Sequence, residues 1–242
     1  MQTAAGWFRY LKRVHPLIGI YLHRLSCLAL RPPKACLRVI DAMIRWFAQR
    51  THHGIVYGGA GMSASTRLDG AMYADISLDA PAPQELAASS DATYGTYDIY
   101  AYLLTYNGAH VDSITRRVGL VGSSSMQNET KGMVKAMHRT LYARNVLIGL
   151  GVPPQGPTLL ASDNKAAVLV ANNAGSSARS LHFMRMYVMM QERIATGEIV
   201  VQHVSDADNP SDVLTKWVDK RKFKRSDAYI TNMRAAPAAA MP

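Results

Sequence analysis

The sequence predicts an α/β fold, in which helices flank a mixed five-stranded sheet and a smaller helical region lies at the N-terminus. Two β-rich runs meet at Asn107-Gly108, a dipeptide that favours a tight antiparallel hairpin. Later apolar runs alternate with runs of helical period, which is typical of parallel strands added to a sheet. Near the N-terminus, apolar residues recur at helical spacing.

The composition is that of a globular protein with an anionic partner. Of the 242 residues, 48% are hydrophobic and 18% are charged, which allows one large or two small domains and excludes a disordered chain. No run of 18 apolar residues occurs, so we expect no membrane span. The net charge of +10 favours nucleic acid as the partner, with mere solubility as the alternative.

The cysteines and the basic N-terminus bear on the compartment. Cys27 and Cys36 have no metal-ligand pattern, which favours buried thiols in a reducing intracellular compartment. The first acid in the chain is Asp41. Because an acid-free, basic and amphipathic start is typical of an organelle presequence, an organelle is one of the compartments that the sequence allows.

Prolines, glycines and small residues divide the chain. Helices are expected over 7–30 and 34–50, on either side of Pro32-Pro33. The predicted organisation is a helical region at 1–58, a Gly/Ser/Ala/Pro-rich linker or insertion at 59–84, a main domain at 85–232 and a disordered tail at 233–242.

The main domain is expected to begin with three strands and a long helix and to continue with alternating strands and helices. The strands are predicted at 85–90, 98–105, 109–116, 158–161 and 198–204. The helices are predicted at 126–150, 164–172, 181–195 and from 212 onward. This order predicts an antiparallel meander extended by parallel strands, with helices over the faces of the sheet.

Four acids lie at the ends of these elements, namely Asp91, Glu129, Asp163 and Asp212. If the first and fourth strands are neighbours, Asp91 and Asp163 lie side by side, and the helices can bring the other two acids over them. Four carboxylates in a small space need cations, and all-oxygen ligands suit Mg²⁺ or Mn²⁺. Two such ions would bind the attacking and the leaving oxygens of a phosphodiester. The alternative is four unrelated surface acids, each capping a helix or turn.

Short motifs containing these acids resemble the ribonuclease H domain of copia-type retrotransposon polyproteins. The motifs are Ser90-Asp91-Ala92, Ser124-Ser-Met-Gln-Asn-Glu129, Ser162-Asp-Asn-Lys-Ala-Ala167, Arg179-Ser-Leu-His182, Gly197-Glu-Ile199 and Ser211-Asp-Val-Leu-Thr-Lys216. Their order along the chain is that of the family. The upstream residues resemble the thumb and connection region of the same polyproteins, so the resemblance covers roughly 13–225.

The resemblance implies a ribonuclease H-like fold that cuts the RNA strand of RNA–DNA hybrids with two divalent ions. It also implies that the four acids are the catalytic, metal-binding residues. This sequence departs from the family pattern at Gln127, where a second acid is usual, and at Tyr94, where a tryptophan is expected. Asp75 competes with Asp91 for the role of first acid, and Asp91 is preferred because it directly precedes the β-rich hairpin.

Basic residues and two histidines could support such a site. His182 is interpreted as an auxiliary or a packed helix residue, and His203 as an aid to product release or a strand residue. The residues predicted to bind nucleic acid are Lys131, Lys135, Arg139, Lys165, Arg179, Lys216, Lys220, Arg221 and Lys222, with a solvated helix face as the alternative. A hybrid would be recognised by its shape and its 2′-hydroxyls.

The sequence therefore supports two hypotheses of different classes. The first is a metal-dependent endonuclease with an RNA–DNA hybrid as its substrate. The second is a domesticated, non-catalytic RNA-binding subunit of a ribonucleoprotein such as an organellar ribosome, with structured RNA and other protein subunits as its partners. The motifs alone do not separate them, because intact acids can outlast the loss of substrate access.

Overall fold

The computed structural model describes residues 2–13, 15–27, 34–50, 55, 86–95, 98–118, 124–172 and 184–231. Several expectations lie outside these residues: the linker at 59–84 with Asp75, the tail at 233–242, Arg179 and His182. Within the described part, no helix has both the length and the apolar character needed to cross a membrane.

The N-terminal region is helical, but the single helix predicted over 7–30 is wrong. Two helices, α1 (Gln2–Leu11) and α2 (Gly19–Cys27), are separated by a 3₁₀ turn at Pro16–Ile18. Pro16 has no amide hydrogen to donate, and its ring disfavours helical geometry at the preceding residue. His15 accordingly has φ −133° and ψ 75°. The next helix, α3, spans Lys34–Ala48.

The expected mixed five-stranded sheet is confirmed, with the strand order β3-β2-β1-β4-β5. The strands are β1 (Leu86–Ala92), β2 (Ile99–Tyr106), β3 (Ala109–Arg117), β4 (Thr158–Ser162) and β5 (Ile199–His203). The first three are antiparallel neighbours, whereas β4 runs parallel to β1 and β5 runs parallel to β4. The carboxyl ends of β1, β4 and β5 therefore lie at the same edge of the sheet.

The β2–β3 hairpin forms where Asn107-Gly108 predicts it. Both residues have positive φ, 49° for Asn107 and 80° for Gly108. This combination matches the turn whose twist suits antiparallel strands, and asparagine and glycine adopt it at the lowest steric cost.

Helices cover both faces of the sheet. On one face lie α4 (Ser125–Gly149), α5 (Lys165–Asn172) and α6 (Met184–Ala195). They bury a core that includes Met133, Met137, Tyr187 and Met190. The other face is covered by α7 (Lys220–Thr231) and by Leu17 of the N-terminal region, which share a second core.

The last helix begins later than the sequence indicates. Asp212–Leu214 forms a 3₁₀ turn, and α7 starts only at Lys220. Asp219 caps α7, because its carboxylate accepts a hydrogen bond from the backbone amide of Lys222 at 2.9 Å. The 3₁₀ turn buries Val213 and Leu214 in the second core.

Candidate metal centre

Three of the four predicted acids converge at the carboxyl ends of β1 and β4. One carboxylate oxygen each from Asp91, Asp163 and Asp212 lies within 4.8 Å of the others. Asp91 lies near the end of β1 and Asp163 directly follows β4, and Ser90 pairs with Ser162 where these two strands are neighbours. Asp212 reaches them from the 3₁₀ turn on the face that α7 covers. All three carboxylates lie on that face, because side chains alternate along a strand and Ala87 and Ala161 belong to its core.

The fourth acid, Glu129, approaches from the opposite face. It lies on α4, which packs against the first core, and its Oε1 accepts a hydrogen bond from the backbone amide of Ala92 at 3.1 Å. Its Oε2 is buried without a hydrogen-bond partner among the described residues. Glu129 is therefore held beside the three-acid cluster rather than within it.

Burial and mutual repulsion raise the pKa of these carboxyl groups. Burial, followed by the charge of Asp212, raises the pKa of Asp91 well above its usual value. Burial, followed by the charges of Asp91 and Asp163, raises the pKa of Glu129 to about 9. Burial also raises the pKa of Asp163 and of Asp212.

The repulsion within the cluster is large enough to matter for folding. Two unit charges at the 4.8 Å limit of this cluster repel by about 3 kcal/mol at an effective dielectric constant of 20. Three such pairs rival the net stability of a typical domain, which is about 5–15 kcal/mol. Protons, ammonium groups or metal ions must therefore balance the three acids.

Two lysines supply part of this balance. Nζ of Lys216 lies 3.0 Å from Oδ2 of Asp212 and 3.9 Å from Oδ1 of Asp91. Nζ of Lys222 also contacts Oδ2 of Asp212. Burial opposes the charge of Lys216, yet the carboxylates of Asp91 and Asp212 raise its pKa above the ordinary value. Both lysines were predicted to face nucleic acid, and in this structure both contact the acids.

Three residues that the sequence motifs do not single out as ligands organise the cluster. Thr215 donates a hydrogen bond from its hydroxyl to Oδ2 of Asp91. Asn209 donates from its side chain to the carbonyl of Ser90 at 3.0 Å. Asp206 accepts from Nζ of Lys216 at 3.0 Å. Thr215 could have been found, because it lies one 3₁₀ turn after Asp212; the other two carry no comparable signal.

The remaining predicted residues lie at different distances from the acids. His203 borders the cluster, since its Nε2 donates to the carbonyl of Asp163 at 3.1 Å. Arg139 pairs with Asp112 at 2.5 Å and lies ten residues along α4 from Glu129, a rise of about 15 Å. Of the other predicted basic residues that the structure describes, Lys131 is half-buried, and four are exposed: Lys135, Lys165, Lys220 and Arg221.

The donor set suits a hard divalent cation. Oxygen ligands from carboxylates are those that Mg²⁺ and Mn²⁺ prefer, and the described residues place no cysteine or histidine side-chain ligand in the group. Asp212 is fully buried, and its Oδ1 has no hydrogen-bond partner within the described part of the chain. A buried carboxylate oxygen without a partner is costly unless a cation binds it, so these residues fit such an ion.

Comparison with known proteins identifies the homologues of the chain as copia-type Pol polyproteins, and this confirms the resemblance. The chain is 24% identical over 234 residues to the retrovirus-related Pol polyprotein from transposon RE1 of Arabidopsis thaliana. It is 23% identical over 234 residues to that from transposon RE2 of the same plant. Each match covers 96% of this chain and 15% of the polyprotein, so the chain spans only a small part of these relatives.

No family model matches the chain. Among solved structures, the chain is similar to the N-terminal RNase H domain of a Mycobacterium tuberculosis protein, with 13% identity and a TM-score of 0.40. That match covers 59% of this chain and 96% of the solved chain.

Proposed function

We propose that the chain is a metal-dependent endonuclease of the ribonuclease H type, which hydrolyses the RNA strand of RNA–DNA hybrids. The observation that carries this proposal is the convergence of Asp91, Asp163 and Asp212 within 4.8 Å at the carboxyl edge of the sheet. Ligand sites in open α/β sheets commonly lie at this edge. The homology to Pol polyproteins supports the same function.

The chain's own residues have distinct roles in this proposal. Asp91, Asp163 and Asp212 would hold the metal ions, and Glu129, beside them, would complete the ligand set from the α4 face. Mg²⁺ or Mn²⁺ held by these residues would supply an activated water and would neutralise the oxygen that leaves phosphorus. Thr215 orients Asp91 through its hydroxyl group. We assign His203, which contacts the carbonyl of Asp163, to release of the cut strand.

The basic surface supports a nucleic-acid substrate. Lys165, Lys220 and Arg221 are exposed at the starts of α5 and α7, near the edge that carries the acids. Their positive charge would attract the phosphates of a nucleic-acid backbone, and each contact would add to the salt dependence of binding. The hybrid would be selected by its shape and by the 2′-hydroxyls of its RNA strand.

The test is cleavage of a hybrid labelled on its RNA strand in the presence of Mg²⁺. Wild type should cut the RNA strand and leave the matching DNA duplex intact, and Asp163→Asn should abolish cleavage. Asp41→Asn is the matched control, because Asp41 is an exposed acid on α3 that pairs with Arg45. Cleavage by Asp163→Asn at the wild-type rate would refute the proposal. Stable binding of RNA without any cleavage by wild type would favour the non-catalytic ribonucleoprotein subunit.

A further inference from the structure

The acid cluster carries its own counter-ions. Oδ2 of Asp212 is shared by two ammonium groups, one from Lys216 at 3.0 Å and one from Lys222. Lys216 also reaches Asp91. These contacts use carboxylate oxygens of the proposed metal ligands themselves, so the lysines and a metal ion would compete for the same atoms.

The fold builds this arrangement from three segments. Lys216 follows Asp212 by four residues in the same short segment, so its position depends on the 3₁₀ turn. Lys222 enters from α7, and its side chain is only 13% exposed. On the solvent side, Asp206 contacts both ammonium groups. Its Oδ1 lies 3.0 Å from Nζ of Lys216, and its Oδ2 lies 3.5 Å from Nζ of Lys222. Lys224, two residues further along α7, is by contrast exposed and has no such contact among the described residues.

We propose that Lys216 and Lys222 are resident counter-ions that a divalent cation must displace from Asp212 and Asp91. The proposal rests on the metal site of the proposed function and adds a device that controls its occupancy. Without metal, the ammonium groups offset the repulsion between the buried carboxylates. When a cation takes the carboxylate oxygens, the ammonium groups are released at the rim of the site, where they can meet a substrate phosphate.

One consequence is a coupling between metal and nucleic acid. A phosphate that draws the ammonium groups away frees the carboxylates, so it strengthens metal binding. By thermodynamic linkage, bound metal strengthens binding of the phosphate by the same factor. Lys216 and Lys222 would then prevent firm metal binding until a polyanion arrives.

The test measures binding of Mn²⁺ alone to the full chain, from the electron paramagnetic resonance signal of free Mn²⁺, with no nucleic acid present. Lys216→Met and Lys222→Met should each bind Mn²⁺ about tenfold more tightly than wild type, because a contacting positive charge is removed. Both variants should also melt at a lower temperature than wild type in metal-free buffer. Lys224→Met, which makes the same change in net charge from an exposed site, should change neither quantity appreciably.

The outcomes separate this inference from the proposed function. If wild type binds Mn²⁺ and the contacting lysine variants bind it no more tightly than Lys224→Met, the counter-ion role is overturned and the nuclease proposal stands. If neither wild type nor any variant binds Mn²⁺, the counter-ion role and the metal-dependent nuclease are both rejected. Where Lys216→Met does not fold, Lys216→Gln keeps a hydrogen-bond donor without the charge and is expected to shift Mn²⁺ affinity in the same direction.

Discussion

Asp91 and Asp163 lie side by side because each comes one residue after the final pair of the parallel ladder between β1 and β4, Ser90 with Ser162. The register of that ladder therefore determines the geometry of the candidate metal centre. A slip by one residue would move one carboxylate to the opposite face of the sheet, away from Asp212.

Replacing Glu129 should separate activity from stability. Glu129→Gln keeps an oxygen that can accept from the amide of Ala92 but removes a buried carboxyl group whose ionised form the neighbouring acids disfavour. We expect cleavage of the hybrid to fall about 10- to 100-fold, as for loss of a group that supports a metal site. The melting temperature without divalent ions should not fall. Single-turnover assays measure the cleavage rate, and calorimetry measures the melting temperature. A large loss of stability in metal-free buffer would contradict this interpretation of Glu129.

The hairpin turn should be sensitive to an added methyl group. Gly108→Ala places a side chain at φ 80° and should destabilise the protein by about 1–2 kcal/mol. Gly149→Ala is the matched control, since Gly149 ends α4 and an added Cβ there would meet no atom within 4 Å. Urea unfolding measures both variants, and equal effects at the two glycines would count against the positive-φ explanation.

The pair Arg50–Asp227 should link the N-terminal helices to α7. Nη2 of Arg50 lies 2.5 Å from Oδ2 of Asp227, which is buried. Arg50→Met should cost about 2 kcal/mol, less than for a fully buried pair because Arg50 is partly exposed. Arg45→Met removes an exposed pair with Asp41 and should cost less than about 1 kcal/mol.

Unfolding in denaturant, followed separately by tryptophan fluorescence and by far-ultraviolet circular dichroism, tests this link. We expect a single transition for wild type, because Leu17 shares a buried core with α7. Two separate transitions in wild type would instead mean that the N-terminal helices unfold independently. That outcome would favour the domain division predicted at 59–84.

His110 should make stability depend on pH. Burial lowers its pKa from 6.5 to about 4. Between pH 4 and pH 6.5, His110 therefore binds a proton in the unfolded chain but not in the folded protein. Stability should therefore fall as the pH drops from 6.5 towards 4, by up to about 3 kcal/mol. In His110→Gln, the free energy of unfolding should depend less on pH over this range. Urea titrations at several pH values measure it, and parallel curves for the two proteins would exclude His110 as the cause.

Local signals predicted much of the fold. The strands, the Asn107-Gly108 turn and the long helix depend on side-chain alternation, helical period and turn chemistry, which neighbouring residues determine. The same signals failed at Pro16 and Asp219. At the first, a helical apolar pattern continues through a proline that breaks the helix. At the second, a capping acid starts α7 later than the motif around Asp212 indicates.

By itself, the sequence determined which acids are available and that they lie at strand and helix ends, because these are properties of short segments. Only the tertiary structure decided that Glu129 approaches from the opposite face and that Lys216, Lys222 and Asp206 meet at Asp212. Those contacts join β1, the 3₁₀ turns and α7, which are distant along the chain. Their meeting depends on the strand order, on the β1–β4 register and on the packing of two cores, and no local pattern encodes these.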